Sequence, residues 1–314
     1  MARSLRNTDR LSRFALPAGE QEHHVLIRIL EITVPVFGII ALAYAYGRKR
    51  PTDLRDANRL NITIFTPALI FHALTERSQG GDDFLLAAIG ATVIVLGSGL
   101  LAWAWVRLTK RDPAVYIGPA MFNNCGNLGL PLAILAFGED ALPLAVVLLV
   151  TENLLQFTVG LWLLGDSIHI KRLATNPMLV ATFAGVLGMV MDWHAPAMIE
   201  PGIRMLGEIS IPLMLVALGV RLADGAPGQW AAGFWGGLLC PLTGLIVAVP
   251  WVLITQPAPP LAALLLVFGA LPPAVLNYML AEQFEIAPQQ VAAIVAVGHV
   301  IALAVIPLTL YWVL

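Results

Sequence analysis

Residues 122–138 read FNNCGNLGLPLAILAFG. Three asparagines, three glycines and a proline stand in a stretch that is otherwise apolar enough to lie in a bilayer. All three residue types are poor helix formers, and in lipid an unpaired backbone group costs several kcal/mol. A helix interrupted here must gain something from the interruption. The surroundings point to a membrane. The 314-residue chain is 58% hydrophobic and 12% charged, with a mean hydropathy of +0.81, whereas about a quarter of a soluble domain is charged. An all-α integral membrane protein is the class this composition implies. A net charge of −2 and the absence of a Lys/Arg block argue against a nucleic-acid partner. Cys125 and Cys240 both fall in apolar segments, without CxxC or Cys/His spacing. No disulfide framework, metal site or bound cofactor is therefore expected.

A membrane-crossing helix needs roughly 20 apolar residues. Ten segments qualify, at about 26–47, 59–76, 83–106, 115–137, 141–164, 174–192, 202–221, 229–254, 259–281 and 288–312. Residues 1–24 form a polar tail with Arg3, Arg6, Arg10 and Arg13, and no apolar core with a cleavage site follows them. Lys and Arg in the connections set the orientation. The connections after segments one, three, five and seven carry Arg48, Lys49, Arg50, Arg55, Arg59, Arg107, Lys110, Arg111, Lys171, Arg172 and Arg221; the opposite ones carry Arg77 and Arg204. Eleven against two places the first group in the cytoplasm and both termini outside it. The arginines of the tail and Arg28 oppose that assignment, but their signal is confined to one end.

Prolines recur at a nearly constant separation. Pro35 and Pro177 are 142 residues apart, Pro67 and Pro212 are 145 apart, and Pro131 and Pro273 are 142 apart. This spacing suggests two homologous halves, residues 25–165 and 172–314, of five helices each. An odd number of helices inverts the second half relative to the first. Inverted repeats with helices broken at corresponding places are a signature of secondary transporters. Segments four and nine carry the breakers, the second as GALPPAVLNYML at 269–280. Two helices unwound near the midplane can cross and turn their freed backbone groups into a polar cavity. Half-helix N-termini there attract anions.

Asn123, Asn124 and Asn127 sit beside the first break and offer donors and acceptors to a carboxylate, or caps to the open backbone. Gly126 and Gly129 allow close backbone approach. Pro131, Pro272 and Pro273 are expected to create the breaks, and Asn277, one turn beyond Pro273, to face the same side. Glu152 lies at the middle of segment five, where a carboxyl group faces a cavity or a partner. His299 holds the matching place in segment ten. Carboxyl and imidazole groups both titrate, so either can exchange a proton during transport. Asn153 and Gln156 extend the polar face. His72, Glu76, Asp192, His194, Glu208, Glu282 and Glu285 fall near segment ends and read as interface or loop residues. No Walker A, GxSxG or HExxH pattern occurs.

FNNCGNLGLPLAILAFG resembles the Asn-x-Gly-x-Leu-Gly-Leu-Pro signature in the fourth helix of the auxin efflux carrier family, which includes PIN-like bacterial permeases. LNITIFTPALIFHAL is similar to that family's second helix, TNPMLVATFAGVLGM to its sixth and GEISIPLMLVALGVRLA to its seventh. LPPAVLNYMLAEQFE and VAAIVAVGHVIALAVIPL are similar to its ninth and tenth. The resemblance covers about residues 28–312. It implies two inverted five-helix repeats with broken, crossing helices four and nine, as in the bile-acid sodium symporter fold. Helices one, two, six and seven would form a scaffold and homodimer interface; helices three to five and eight to ten would move as an elevator. The implied substrate is a small organic anion: bacterial relatives move malate and malonate, and plant relatives export auxin. The polar tail and the Glu152/His299 pair are not fixed by the family pattern, and the long cytoplasmic loop of some plant members is absent. A sodium-coupled symporter of the bile-acid type, coordinating the cation through Glu152 and the asparagines, is the alternative. An intramembrane enzyme with Glu152 and His299 as acid and base is the alternative of another class.

Overall fold

The computed structural model describes residues 18–75, 81–166, 175–191, 193–223 and 228–314. The arginines of the tail, Glu76, Arg77, Lys171, Arg172, Asp192 and the junction between the two expected halves lie outside these residues. Among the described residues the chain is helical. In order it forms α1 (Ala18–Lys49), α2 (Arg55–Leu60), α3 (Thr66–Thr75), α4 (Gly81–Thr109), α5 (Pro113–Met121), α6 (Leu130–Phe137), α7 (Leu142–Leu155), α8 (Pro177–Val190), α9 (Glu200–Ala223), α10 (Trp230–Thr255), α11 (Pro259–Ala270), α12 (Val275–Gln283) and α13 (Pro288–Val313). Three π-helical turns, Asn61–Phe65, Cys125–Gly129 and Gln156–Gly160, join α2 to α3, lead into α6 and extend α7. α1 begins inside the polar tail, so residues 18–24 are helical.

Among the described residues, six helical stretches have the length and apolar character to cross a membrane. They are Glu22–Lys49, Asp83–Thr109, Glu139–Leu163, Glu200–Ala223, Trp230–Thr255 and Pro288–Val313. The other expected spans are shorter or interrupted: Cys125–Phe137, Pro177–Val190 and Pro259–Ala270 are apolar helices below that length. The protein is a multi-pass membrane protein.

Helix starts follow local chemistry. Asp112 caps α5 by accepting from the Ala114 N–H at 3.0 Å, with Pro113 in the first turn. Asn176 caps α8 in the same way, ahead of Pro177. Helix interiors do not follow proline content. Pro35, Pro119, Pro212, Pro241, Pro250 and Pro307 all sit inside helices, which membrane helices tolerate more readily than soluble ones.

The helices pack as two groups. α9 lies along α1 and α3, and α8 along α3. In the second group α10 lies against α13, α11, α4 and α5, while α7 packs on α4. Small residues permit the closest contacts, as bilayer packing requires. A Cβ on Gly244 of α10 would run into the Gly269 carbonyl oxygen of α11. Thr66 and Ser210, both buried, share a 2.9 Å hydroxyl–hydroxyl hydrogen bond between α3 and α9.

Candidate functional site at the helix crossing

α5 stops at Met121, and Phe122, Asn123 and Asn124 leave the helix before the π-helical turn Cys125–Gly129 begins. α11 stops at Ala270, and α12 resumes at Val275 after Leu271–Ala274. The two gaps meet. Asn124 N–H donates to the Pro272 carbonyl at 2.8 Å and Ala274 N–H donates to the Phe122 carbonyl at 2.9 Å, with Asn123 directly opposite Pro273 in antiparallel sense. Backbone groups freed by one interruption are thus satisfied by the other, which is how non-helical chain persists at membrane depth. Two helix N-termini and two C-termini converge on this one spot.

Side chains from both halves lock the crossing. Asn123 Nδ2 donates to the Phe268 carbonyl at 2.8 Å. Asn277 Nδ2 donates to the carbonyls of Phe122 at 2.8 Å and Ala274 at 3.1 Å, and its Oδ1 accepts from Gln156 Nε2 at 3.3 Å. Asn124 Nδ2 lies 2.8 Å from His299 Nε2, and His299 Nδ1 lies 2.8 Å from the Val295 carbonyl. That carbonyl can only accept, so Nδ1 carries the ring proton and Nε2 accepts from Asn124. Pro273 packs so closely on α13 that a Cβ at Gly298 would come within 2.6 Å of its Cδ.

A cavity of about 270 Å³ reaches this crossing from one side. Asp112, Pro113, Leu163 and Leu164 line it, together with Phe122, Gly160, Asn277, Leu280 and Val291. The Phe122 ring lies against Gly160, where a Cβ would sit 3.0 Å from the ring. Beside Asp112, the Arg111 guanidinium stacks over the rings of Trp105 and Tyr116 at 5.3 and 5.4 Å and donates to the Tyr116 hydroxyl at 2.8 Å. On the opposite side of the crossing, Cys125, Gly129, Ala133, Leu264 and Leu271 border an apolar space of only about 20 Å³.

Most expected site residues gather here, but not on one surface. Asn277 lines the cavity. Asn123 and Asn124 are buried and spent on the crossing itself, although Asn123 Oδ1 has no partner. Asn127 and Gly126 are half-buried on the π-helical turn, which faces α9. Gly129 packs against Leu271 across the crossing, 3.0 Å from a Cβ built on it. Pro272 and Pro273 form the second gap. Pro131 does not form the first: it sits in the opening turn of α6, and the chain leaves the helix at Phe122, upstream. Glu152 is 1% exposed on α7, facing the Cys125 thiol and the Asn123 backbone N–H, with neither carboxyl oxygen in a formed hydrogen bond. Asn153 is half-buried. At the far end of α3, His72 stands 3.9 Å from Glu200, beside His194 and apart from the crossing. No group of three metal-ligating side chains occurs among the described residues. The role of Phe122, whose carbonyl anchors the crossing and whose ring closes the cavity, has no signal in an apolar sequence.

The profile of the family described as membrane transport protein matches this chain twice, at residues 28–168 and 161–311. A protein of Rhizobium meliloti (strain 1021) named "Putative malonate transporter" is 28% identical over 218 residues, spanning 63% of this chain and 68% of its own. An uncharacterized transporter of Methanocaldococcus jannaschii is 23% identical over 310 residues, spanning 90% of this chain and 96% of its own. These relatives are transporters, not enzymes, which removes the intramembrane-enzyme alternative. Interrupted helices, a cavity at their meeting point and a doubled family match lead to one assignment: the chain belongs to the auxin efflux carrier family of membrane transport proteins.

Proposed function

We propose that this protein is a secondary transporter for a small organic anion of the malonate class. It works by alternating access around the crossing of α5–α6 with α11–α12. The observation that carries this reading is the reciprocal backbone pairing of the two gaps, at the floor of a cavity open on one side. The N-terminal ends of α12 and of the Cys125–Gly129 turn bring partial positive charge to the crossing, which favours a carboxylate. A cavity of about 270 Å³ suits a compact metabolite better than a drug-sized ligand. The relative named for malonate supplies the substrate class.

In this reading ten spans form two inverted five-helix repeats. The group containing α1, α3, α8 and α9 is the scaffold, and the other group carries the site across the plasma membrane as an elevator. Both termini are non-cytoplasmic. The cavity mouth at Asp112 and Leu164 then opens to the cytoplasm, so the conformation is inward-facing. Asn277, at the cavity floor, contacts the anion in this conformation; Asn127, half-buried on the π-helical turn and outside the cavity lining, meets it when the carrying group moves along α9, and Arg111 supplies positive charge beside the mouth.

Counterflow of labelled malonate in proteoliposomes tests the proposal. Saturable uptake driven by unlabelled internal malonate, reduced at least tenfold by Asn127→Ala in correctly folded protein, is the expected result. Non-saturable flux without counterflow contradicts it.

A further inference from the structure

We propose that Glu152, and not His299, carries the proton exchanged during each transport cycle. The inference rests on the transport reading above and names its coupling group. Apart from His299, Glu152 is the only acidic or basic side chain fully buried among the described residues. Its two oxygens have no hydrogen-bond partner. An ionised carboxylate in that setting needs a cation, because an isolated buried charge is far more costly than a buried neutral acid.

The surroundings hold none. The titratable side chains facing Glu152 are the thiols of Cys125, from the π-helical turn, and Cys240, from α10. α6, α8 and α11 contribute no charged residue; α3 carries His72 near its far end, α4 carries Asp82, Asp83 and Arg107 only at its ends, and the turn Glu139–Ala141 ahead of α7 carries Glu139 and Asp140, about three turns of helix from Glu152. His299 is occupied elsewhere, and every nitrogen on its ring is already satisfied in the neutral form. With the Asn124 amide oriented as it is, a second proton on His299 would set two donors, Nε2–H and Asn124 Nδ2–H, against each other. His299 is a bracket for the crossing. Glu152 is a proton site without a competing partner.

The step balances simply. A proton from water adds to one carboxylate oxygen and gives the neutral acid that this buried, cation-free setting requires; the same proton returns to water when the opposite face opens. Gln156, one turn beyond Glu152 at the start of the π-helical turn that extends α7, bonds to the cavity-lining Asn277 and marks the inner approach. The Phe122 ring on Gly160 closes that approach in this conformation.

Purified wild type, E152Q and H299Q are reconstituted with choline replacing sodium, and labelled malonate accumulation is followed with and without an imposed pH gradient. Wild type accumulates malonate in response to the gradient. E152Q loses gradient-driven accumulation at least tenfold while still exchanging malonate across the membrane, and H299Q, whatever its rate, still responds to the gradient. Gradient-driven accumulation by E152Q, or wild-type accumulation that follows sodium instead of pH, overturns the proposal. An infrared difference spectrum of wild type minus E152Q at neutral pH reads the same group without any substrate. The proposal requires a protonated-carboxyl stretch in it, and a carboxylate band alone refutes it. If that stretch is present while malonate flux is absent, the substrate reading falls and the proton site stands.

Discussion

Replacing Asn277 with alanine removes three hydrogen bonds at once, and their fates differ. The Phe122 carbonyl keeps the Ala274 N–H at 2.9 Å, and the Ala274 carbonyl keeps the Asn277 N–H at 3.1 Å. Losing the side-chain donor to each therefore weakens but does not strand them. Gln156 Nε2 loses its acceptor, the Asn277 Oδ1, while 2% exposed. A net hydrogen bond contributes about 1 kcal/mol and a stranded buried donor costs about 1–3 kcal/mol. Asn277→Ala should then destabilise the protein by about 2–4 kcal/mol, roughly a thirty- to several-hundred-fold change in the folding equilibrium. Denaturant unfolding in mixed micelles, followed by tryptophan fluorescence, measures the loss. The cycle with Gln156→Leu isolates its source: with no donor to strand, the double variant should recover about 1 kcal/mol relative to additivity. A single variant within 0.5 kcal/mol of wild type, on the ordinary scale of surface substitutions, would refute the view that Asn277 ties the two halves together.

Two further outcomes follow from packing and from the cavity. Gly244→Ala drives a methyl group into the Gly269 backbone and should abolish monodisperse protein in size-exclusion chromatography, whereas Gly38→Ala, with nothing within 4 Å of the new Cβ, should be neutral or stabilising by up to about 1 kcal/mol. A cysteine at Gly118, whose Cβ would have Asn277 Oδ1 at 3.8 Å as its nearest neighbour, should react with a membrane-impermeant thiol reagent from the cytoplasmic side only, and malonate should protect it. Labelling from the outer side alone would reverse the orientation.

The location of the crossing was legible because its residues are conspicuous where they stand. Asn123, Asn124, Pro272, Pro273 and Asn277 are polar or helix-breaking groups in apolar surroundings, and lipid tolerates them only for a reason. Its register was not legible. Counting prolines sets Pro131 against Pro273, while the chain sets Asn123 against Pro273, because proline alone does not decide where a membrane helix ends. Six prolines lie inside helices here, Pro119 among them three residues before the first gap, and that gap opens at Phe122 ahead of Pro131. The π-helical turns left no trace either. The shift at Asn124, whose carbonyl accepts from both Leu128 and Gly129, is a backbone rearrangement open to many residue types. Glu152 and His299 were both conspicuous as titratable groups in apolar helices. Only the fold separates them, since the partner of His299 is Asn124, 175 residues away.

The most direct test of the crossing uses its own geometry. Asn123 and Pro273 face each other as a non-hydrogen-bonded antiparallel pair, in which Cα atoms lie about 4.5 Å apart, within the range a disulfide spans. N123C/P273C is made in a background with Cys125 and Cys240 replaced by alanine, and a protease site is inserted between residues 167 and 174. After oxidation and cleavage, the account predicts a full-length band on a non-reducing gel that splits into two halves on reduction. Two separate halves before reduction, from protein that is folded and monodisperse, would contradict it.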